Sequence, residues 1–305
     1  MHAIEIENVT KSFGPQKAVD DLLLQVPEGV VYGFIGPNGS GKTTTLRMIM
    51  RILKPDTGRI VVLGNDRVDA PDDRVGYLPE ERSVYKQMKV RDALRFYAQM
   101  KGYRASNAEI DDWLDRLKLP GVADKKVEAL SKGMNQKVQF IATVISKPRL
   151  VLLDEPFSGL DPVNAVVLRE MIVDLRKQGA TVIFSTHDMG VAERMCDAIF
   201  MIYRGKKVLD GTLESIQKQY GEDTIRVKLE GVNGSAFANL PGVTEVTDFN
   251  RYQELRVSRD VDTQQLLAIL SGRGRVTHFE VAHPSLQDIF VRIASPDRVG
   301  EEVLA

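Results

Sequence analysis

The feature that most constrains this chain is a glycine-rich segment at positions 36–44, which ends in Lys-Thr-Thr. An apolar run at 30–35 precedes it, and residues 45–50 after it have helical spacing. A strand, a glycine-rich loop, Gly-Lys-Thr and a helix in this order form the P-loop pattern, which binds the phosphates of a nucleoside triphosphate. The residues that we expect at this nucleotide site are Gly36, Pro37, Asn38, Gly39, Ser40, Gly41, Lys42, Thr43 and Thr44.

The chemistry of this loop follows from its residue types. Glycines let successive backbone N–H groups turn inward and form a concave anion site. The helix after the loop adds roughly half a positive charge at its N-terminus. Lys42 then reaches the β- and γ-phosphates, and the Thr43 hydroxyl ligates Mg²⁺. The alternative, an ordinary glycine-rich turn with a solvated lysine, does not account for the flanking strand and helix.

Composition and charge narrow the possible environments of the chain. At about 150 residues per domain, its 305 residues suggest two domains. The formal net charge of −1 provides no global basic field for nucleic acid, and the single cysteine, Cys196, suits a reducing cytoplasm. The N-terminus lacks the layout of a signal peptide, and no apolar run approaches the ~18 residues that span a bilayer. We therefore expect a cytoplasmic protein, for which any action at a membrane would require a partner.

Alternating strand and helix patterns over the first two thirds of the chain favour an α/β fold with a largely parallel sheet. A mostly helical insert occupies about 83–147 and separates the P-loop from the next apolar strand. The helices predicted within this insert are 88–98, 108–119 and 134–146. The predicted strands that flank the loop and follow the insert are 30–35, 75–79, 150–155, 180–185 and 198–203.

The C-terminal part of the sequence has a different pattern. After a strand at 224–229 it predicts a short helix at 234–240, two strands, a helix and a further strand. Strand-helix-strand-strand-helix-strand is the ferredoxin-like order. We therefore predict a nucleotide-binding α/β domain at 1–220 and a small α+β ferredoxin-like domain at 221–305.

Two carboxylates and a histidine complete the candidate catalytic residues. Asp154 and Glu155 follow four apolar residues, which is typical of a buried strand that delivers acids to its carboxyl end. Asp154 is expected to hold Mg²⁺, and Glu155 to orient or deprotonate an attacking water. His187 follows the strand at 180–185, where it could reach the γ-phosphate. The alternatives are a solvated, inert acidic pair and a structural histidine.

Together these segments resemble the ATP-binding subunits of ABC transporters. The P-loop, a signature-like segment at 130–136, the acidic strand end at 150–155, a D-loop at 158–161 and the switch histidine at 185–187 occur in that family's order. The resemblance covers roughly 3–220, and it makes the fold an ABC-type P-loop NTPase. Phe13 stands where the family stacks an aromatic ring on adenine, and Asp161 belongs to the D-loop.

The resemblance implies that two subunits close head to tail on two ATP molecules. Ser131 and Gly133 of one subunit would face the γ-phosphate held by Lys42 of the other. The second subunit would be an identical copy or a paralogue. The same resemblance implies a separate integral-membrane permease as partner, so that the chain lies on the inner face of the cell membrane.

This sequence departs from the family pattern at two places. Lys132-Gly133-Met134 replaces the usual Gly-Gly-Gln of the signature, and Glu80 replaces the glutamine after Leu-Pro. Glu80 is a hard oxygen donor that can still ligate Mg²⁺, although its charge near the phosphates could slow hydrolysis. These features are similar to those of the drug-resistance and sodium-extrusion branch, which has a small C-terminal domain and serves exporters.

Two other functions remain open from the sequence. A soluble ABC-type ATPase that acts on nucleic acid or ribosomes would usually carry two modules, a long coiled coil or zinc-binding cysteines. A module that dimerises on ATP with little turnover would fit Glu80 and Lys132, but the presence of Glu155 and His187 argues against it. We therefore expect an ATPase that uses ATP and Mg²⁺ to power a permease, with no nucleic acid partner.

Overall fold

The computed structural model describes residues 1–66, 72–81, 84–220, 224–230, 237, 239–249, 251–258 and 260–294. The chain forms two compact units, Met1–Thr212 and Leu213–Ala305. The helix Leu213–Tyr220 belongs to the second unit. The division between the units therefore precedes this helix, whereas the sequence-based boundary follows it.

The strands of the first unit form two sheets. In chain order, the described strands are β1 His2–Phe13, β2 Gln16–Pro27, β3 Val31–Ile35, β4 Thr57–Val62, β5 Val75–Leu78, β6 Leu150–Asp154, β7 Thr181–Thr186, β8 Ala198–Tyr203 and β9 Lys206–Gly211. The sequence pattern predicts β3, β5, β6, β7 and β8 in the large sheet, whereas β9 has no counterpart among the predicted strands.

The larger sheet has the order β5-β6-β7-β3-β8-β9. Its neighbouring strands run parallel, except that β9 is antiparallel to β8. Every residue of β3, β6 and β7 is buried, as expected for parallel strands covered on both faces. The prediction of a largely parallel α/β sheet is confirmed. Register aligns Asp154 with Ser185 and Ile35 with Thr186, so three carboxyl ends meet at one edge.

A smaller antiparallel sheet has the order β2-β1-β4. Its apolar residues, including Ile4 and Leu24, share a buried core with Leu152 and Ile183 of the larger sheet. Leu46, on the helix that follows the P-loop, belongs to the same core. The loop is therefore supported by packing on the strand before it and on the helix after it.

The first unit carries six described α-helices that connect or cover these strands. They are α1 Lys42–Ile49, α2 Val90–Met100, α3 Asn107–Arg116, α4 Lys132–Val144, α5 Pro162–Lys177 and α6 Met189–Met195. The three predicted helices of the insert are present as α2, α3 and α4. No helix in the described ranges is long and apolar enough to cross a bilayer.

Two helix boundaries in the insert differ from the prediction for local reasons. α4 begins at Lys132 instead of 134, because the Ser131 side chain accepts a hydrogen bond from the Met134 N–H and caps the helix. α3 ends at Arg116 instead of 119, because Lys118 has a left-handed φ of 55°.

The second unit contains one antiparallel sheet. In chain order its described elements are α7 Leu213–Tyr220, β10 Thr224–Glu230, β11 Val243–Asp248, β12 Gln253–Val257, α8 Thr263–Arg273, β13 Arg275–Ala282 and α9 Leu286–Ala294. The sheet order is β11-β12-β10-β13, the arrangement of a ferredoxin-like fold. The helix predicted at 234–240 lies mostly outside the described residues. Phe237 and Leu240 are nevertheless buried with Ile225 and Leu255 in the core of this unit.

Candidate functional site

The glycine-rich loop joins β3 to α1 and leaves no room for side chains at two of its positions. Gly36 has a φ of 154°, and a methyl group placed on it would lie 2.2 Å from the Ile202 carbonyl oxygen. Gly41 has a φ of 116°, and a methyl group there would lie 2.4 Å from the Ala18 carbonyl oxygen. Only glycine satisfies both restrictions. The loop is thereby held as a concave backbone surface at the N-terminus of α1, which favours anions.

Lys42 begins α1 with its ammonium group inside the site. The ammonium donates hydrogen bonds to the carbonyl oxygens of Gly36 at 2.7 Å and Pro37 at 3.1 Å. It lies 3.8 Å from Oε1 of Glu155. Burial lowers the pKa of the Lys42 side chain, although the carboxylates of Glu155 and Asp154 raise it in part. The lysine is a buried cation bordered by carboxylates, as expected of a group that binds phosphate.

The Asp154 carboxylate lies fully buried at the end of β6. Its Oδ1 accepts hydrogen bonds from the hydroxyls of Thr43 at 3.2 Å and Ser185 at 2.5 Å. Its Oδ2 is buried and has no hydrogen-bond partner among the described residues. A buried carboxylate oxygen without a partner beside a hydroxyl is a fit for Mg²⁺, which prefers hard oxygen ligands.

Glu155 and His187 are in direct contact. Glu155 has a left-handed φ of 47°, and its backbone N–H donates to the Ser185 hydroxyl at 2.9 Å. Its carboxylate oxygens lie 3.1 Å and 3.2 Å from Nδ1 of His187. The Glu155 side chain is nearly buried, whereas that of His187 is 59% exposed. A carboxylate oriented by a histidine is an arrangement suited to activating water.

A pocket of about 200 Å³ opens at the P-loop. Most residues predicted at the nucleotide site line it, together with Ala18, which the sequence did not single out. The lining residues are Ala18, Asn38, Gly39, Gly41, Lys42, Thr43, Thr44, Glu80 and Glu155. Gly36, Pro37 and Ser40 form the part of the loop behind this lining.

Glu80 faces this pocket from the loop after β5, and its side chain is exposed. Its charge raises the pKa of Lys42, in opposition to the effect of burial. Glu80 therefore acts electrostatically on Lys42, the residue that is expected to bind phosphate. The position of Glu80 fits a role as a metal ligand, and this role stays a prediction.

Phe13, predicted to stack on adenine, ends β1 and is 51% exposed. The Lys11 ammonium lies 5.7 Å from the centroid of its ring. The ring is not part of the lining of the P-loop pocket. About half of the residue is exposed, and its stacking role stays a prediction.

Three residues expected from the family resemblance, two in the signature segment and one in the D-loop, lie at helix starts outside this pocket. Ser131 caps α4 through the N–H of Met134, and Gly133 lies in the first turn of the same helix. Asp161 caps α5, where its carboxylate accepts from the backbone N–H and the side chain of Asn164. Within one chain, none of the three lines the P-loop pocket.

Ser185 is the functional residue that sequence reasoning passed over. Ser185 lies two positions before His187, and the sequence pattern predicts no separate role for its hydroxyl. The register of β6 and β7 places it beside Asp154, where its hydroxyl donates to that carboxylate and accepts from the Glu155 N–H. Only the pairing of two parallel strands from distant parts of the chain reveals this role.

The loop lies between β3 and α1 and beside the carboxylates at the end of β6. This position places the chain among the P-loop nucleoside triphosphatases. Residues 19–158 match the family model of ABC transporters. Residues 211–294 match the model of the C-terminal domain of ATP-binding proteins similar to DrrA1-3. The chain belongs to the ATP-binding proteins of ABC transporters. It is an ATPase that couples ATP hydrolysis to transport.

Several relatives match nearly the whole chain. The uncharacterized ABC transporter ATP-binding protein YhaQ of Bacillus subtilis is 39% identical over 290 residues, which are 94% of this chain and 97% of YhaQ. The daunorubicin resistance ATP-binding protein DrrA3 of Streptomyces coeruleorubidus is 31% identical over 310 residues and covers 98% of both chains. The Nod factor export ATP-binding protein I of Sinorhizobium fredii is 31% identical, over 95% of this chain and 85% of that protein.

A solved structure of the ATP-binding subunit of an ABC transporter has a similar fold. It superposes with a TM-score of 0.67 at 30% sequence identity and covers 72% of this chain and 93% of its own. The ABC-type P-loop fold expected from the sequence is confirmed.

Proposed function

We propose that this chain closes head to tail on a second ATP-binding subunit and thereby drives a separate integral-membrane permease. The second subunit is an identical copy or a paralogue. The permease then holds the chain at the inner face of the cell membrane. The names of two relatives, for daunorubicin resistance and Nod factor export, support export as the direction of transport.

The observation that carries this proposal is the small volume of the P-loop pocket. Its volume of about 200 Å³ is below the ~300–1,000 Å³ of sites that enclose a small molecule. Ser131 stands exposed at the N-terminus of α4, where backbone N–H groups favour an anion. A second subunit turned head to tail would bring its own Ser131 and Gly133 to the open side of the pocket. ATP would then join the two subunits, and its hydrolysis would release them.

The residues of each pocket have distinct roles in the proposed hydrolysis. Lys42 binds the β- and γ-phosphates and neutralises their charge. Glu155 accepts a proton from the attacking water or orients it. His187 holds the Glu155 carboxylate in position, and its exposed side chain can reach the γ-phosphate. The contact between Glu155 and His187 supports turnover and argues against a module that only dimerises.

We propose that Thr43, Asp154 and Glu80 hold Mg²⁺. The buried Oδ2 of Asp154, which has no partner among the described residues, supports this assignment. When bound, the ion would neutralise charge on the phosphate oxygens. Thr43 and Asp154 are already in contact through a hydrogen bond, so two of the three oxygens are positioned together by the fold.

A second pocket, of about 130 Å³, supports a permease contact beside the nucleotide site. It lies between β5, α2 and α4, and its lining includes Leu78, Pro79 and Gln139. Oε1 of Gln139 is buried without a hydrogen-bond partner among the described residues. Tyr85, 58% exposed, lies next to this pocket in the chain. Because Glu80 follows Pro79 and lines the nucleotide pocket, a permease segment bound here would be one residue from the ATP site.

Head-to-tail closure is tested by mixing two variants, Asn38→Cys and Ser131→Cys, both of which also carry Glu155→Gln so that bound ATP persists. We expect an intermolecular disulfide with ATP and not with ADP. Cys196 competes poorly, because burial raises the pKa of its thiol. A mixture of Asn38→Cys with Lys125→Cys is the matched control. Equal cross-linking in the two mixtures, or with the two nucleotides, would contradict the arrangement.

The permease contact is tested by replacing one exposed apolar residue beside the second pocket and, as a control, one outside it. Tyr85→Ala should lower the fraction of tagged chain recovered with cell membranes. Ile52→Ala, at a residue that is 57% exposed and outside the second pocket, should not. Vesicles of lipid alone are the further control. Binding of the parent chain to them at the level seen with cell membranes would contradict a permease as the anchor.

A further inference from the structure

Lys132, where this sequence departs from the usual signature, lies against the D-loop of its own chain. A methyl group placed on Gly159 would lie 2.5 Å from both Cε and Nζ of Lys132. Gly159 also has a left-handed φ of 74°. The end of the lysine side chain therefore occupies the space that a larger residue at 159 would need.

Further contacts join the same two segments. The buried side chain of Gln136 donates to the Pro156 carbonyl oxygen at 3.2 Å. A methyl group on Gly133 would lie 3.6 Å from Cδ2 of Leu160, so the first turn of α4 packs closely on the loop. The start of α4 and the segment 156–160 therefore form one packed unit.

This unit continues to the catalytic carboxylate of the same chain. The Ser158 N–H donates to the carbonyl oxygen of Glu155 at 3.1 Å. A short path thus runs from Ser131 through Lys132, Gly159 and Ser158 to Glu155. In the proposed head-to-tail pair, Ser131 contacts the ATP held by the partner, whereas Glu155 acts on the ATP held by its own chain. The two ends of the path belong to different ATP sites.

We propose that Lys132 is a positioning residue that couples the two ATP sites by tying the signature turn to the D-loop. This inference rests on the proposed head-to-tail pair. Helix electrostatics do not explain a lysine at this position, because a cation in the first turn opposes the helix dipole. Nor does Lys132 have a carboxylate within ion-pair distance in the described parts of the chain. The contact with Gly159 is therefore the interaction that accounts for the position of the Lys132 side chain.

The inference is tested by the cooperativity of ATP hydrolysis. Positive coupling of two sites gives a Hill coefficient above one in the parent. Lys132→Ala should bring the coefficient close to one, with ATP affinity of the isolated monomer unchanged, and Lys132→Arg should retain the parent value. Mutations at coupling positions change the coupling by about 2- to 30-fold. Lys125→Ala, at an exposed lysine of the insert, is the matched control.

A second pair of variants tests the contact itself. Gly159→Ala should lower the Hill coefficient as Lys132→Ala does, and adding Lys132→Ala to it should cause no further loss. Gly179→Ala controls for backbone strain, because Gly179 has a φ of 93° and open space around it. It should leave the coefficient unchanged.

The outcomes separate this inference from the proposed function. If the Glu155→Gln variant does not dimerise with ATP, the proposed head-to-tail pair itself fails. If this variant dimerises, but the parent chain hydrolyses ATP with a Hill coefficient of one or Lys132→Ala keeps the parent's coefficient, only the coupling role of Lys132 is overturned. A lower melting temperature with unchanged cooperativity would mean that the lysine contributes to packing alone.

Discussion

Replacement of Ser185 tests the geometry of the site most directly. Its hydroxyl donates to Asp154 at 2.5 Å and accepts from the backbone N–H of Glu155 at 2.9 Å, and all three residues are buried. A hydrogen bond to a charged group contributes about 1.5–3 kcal/mol, and a buried donor left without an acceptor costs about 1–3 kcal/mol. Ser185→Ala should therefore lower the free energy of unfolding by at least about 2.5 kcal/mol.

The assay is urea-induced unfolding followed by tryptophan fluorescence. Trp113 is the sole tryptophan and lies in α3, so the signal reports on the first unit. Thr181→Val is the matched control, because Thr181 is a buried hydroxyl on the same strand that accepts one hydrogen bond, from the Gly29 N–H. Because this hydrogen bond is only partly buried, water can replace the lost acceptor, so the loss of one neutral hydrogen bond should cost only about 0.5–1.5 kcal/mol.

The comparison of the two variants decides whether the reasoning holds. Ser185→Ala should lower the urea concentration at the unfolding midpoint further than Thr181→Val does. The dependence of the free energy of unfolding on urea concentration should stay unchanged. A cost for Ser185→Ala no greater than for Thr181→Val would refute the view that its hydroxyl supports a buried charge. The expected loss corresponds to a melting temperature about 5–10 °C lower for a unit of this size.

Three further predictions follow from single side chains. Lys42→Ala should abolish ATP binding in a nucleotide titration while Lys125→Ala binds normally, and unchanged affinity of Lys42→Ala would exclude its phosphate role. Phe13→Ala should weaken ATP binding by about 5- to 150-fold, since a stacked base contributes about 1–3 kcal/mol. Inorganic triphosphate should bind this variant as it binds the parent, and an equal loss for both ligands would argue against stacking. Hydrogen bonding from Lys11 lowers the pKa of Asp56 below its ordinary 3.8. The stability that Asp56 contributes is therefore complete above pH 3.8 and is lost as the pH falls through the lower folded-state pKa. The difference between parent and Asp56→Asn in urea unfolding should narrow in that acidic range, and a constant difference would contradict this linkage.

The prediction of the P-loop from sequence succeeded because its chemistry is local. Its glycines, lysine and threonine lie within 36–44, and the flanking strand and helix are visible as neighbouring apolar patterns. The insert was predicted for the same reason, since α2, α3 and α4 each carry their own helical periodicity. Errors in the insert arose at helix ends, where a cap at Ser131 and a left-handed residue at Lys118 decide the boundary.

Long-range pairing explains what local patterns left out. β9 is a short, half-exposed edge strand. Its pairing with β8 identifies it as a strand more clearly than its own residue pattern does. In the second unit, the strands were predicted from their residues, whereas the position of β10 between β12 and β13 appears only in the sheet.

The sequence by itself determined the P-loop, the two acids at the end of β6, the histidine after β7 and the α/β class, because each depends on residues adjacent in the chain. Tertiary structure alone decided that Ser185 joins Asp154 to Glu155, that Lys132 lies over Gly159, and that Ser131 is outside the P-loop pocket. These contacts depend on strand register and on the packing of helices against loops distant in the chain. Both are set by the burial of the whole core.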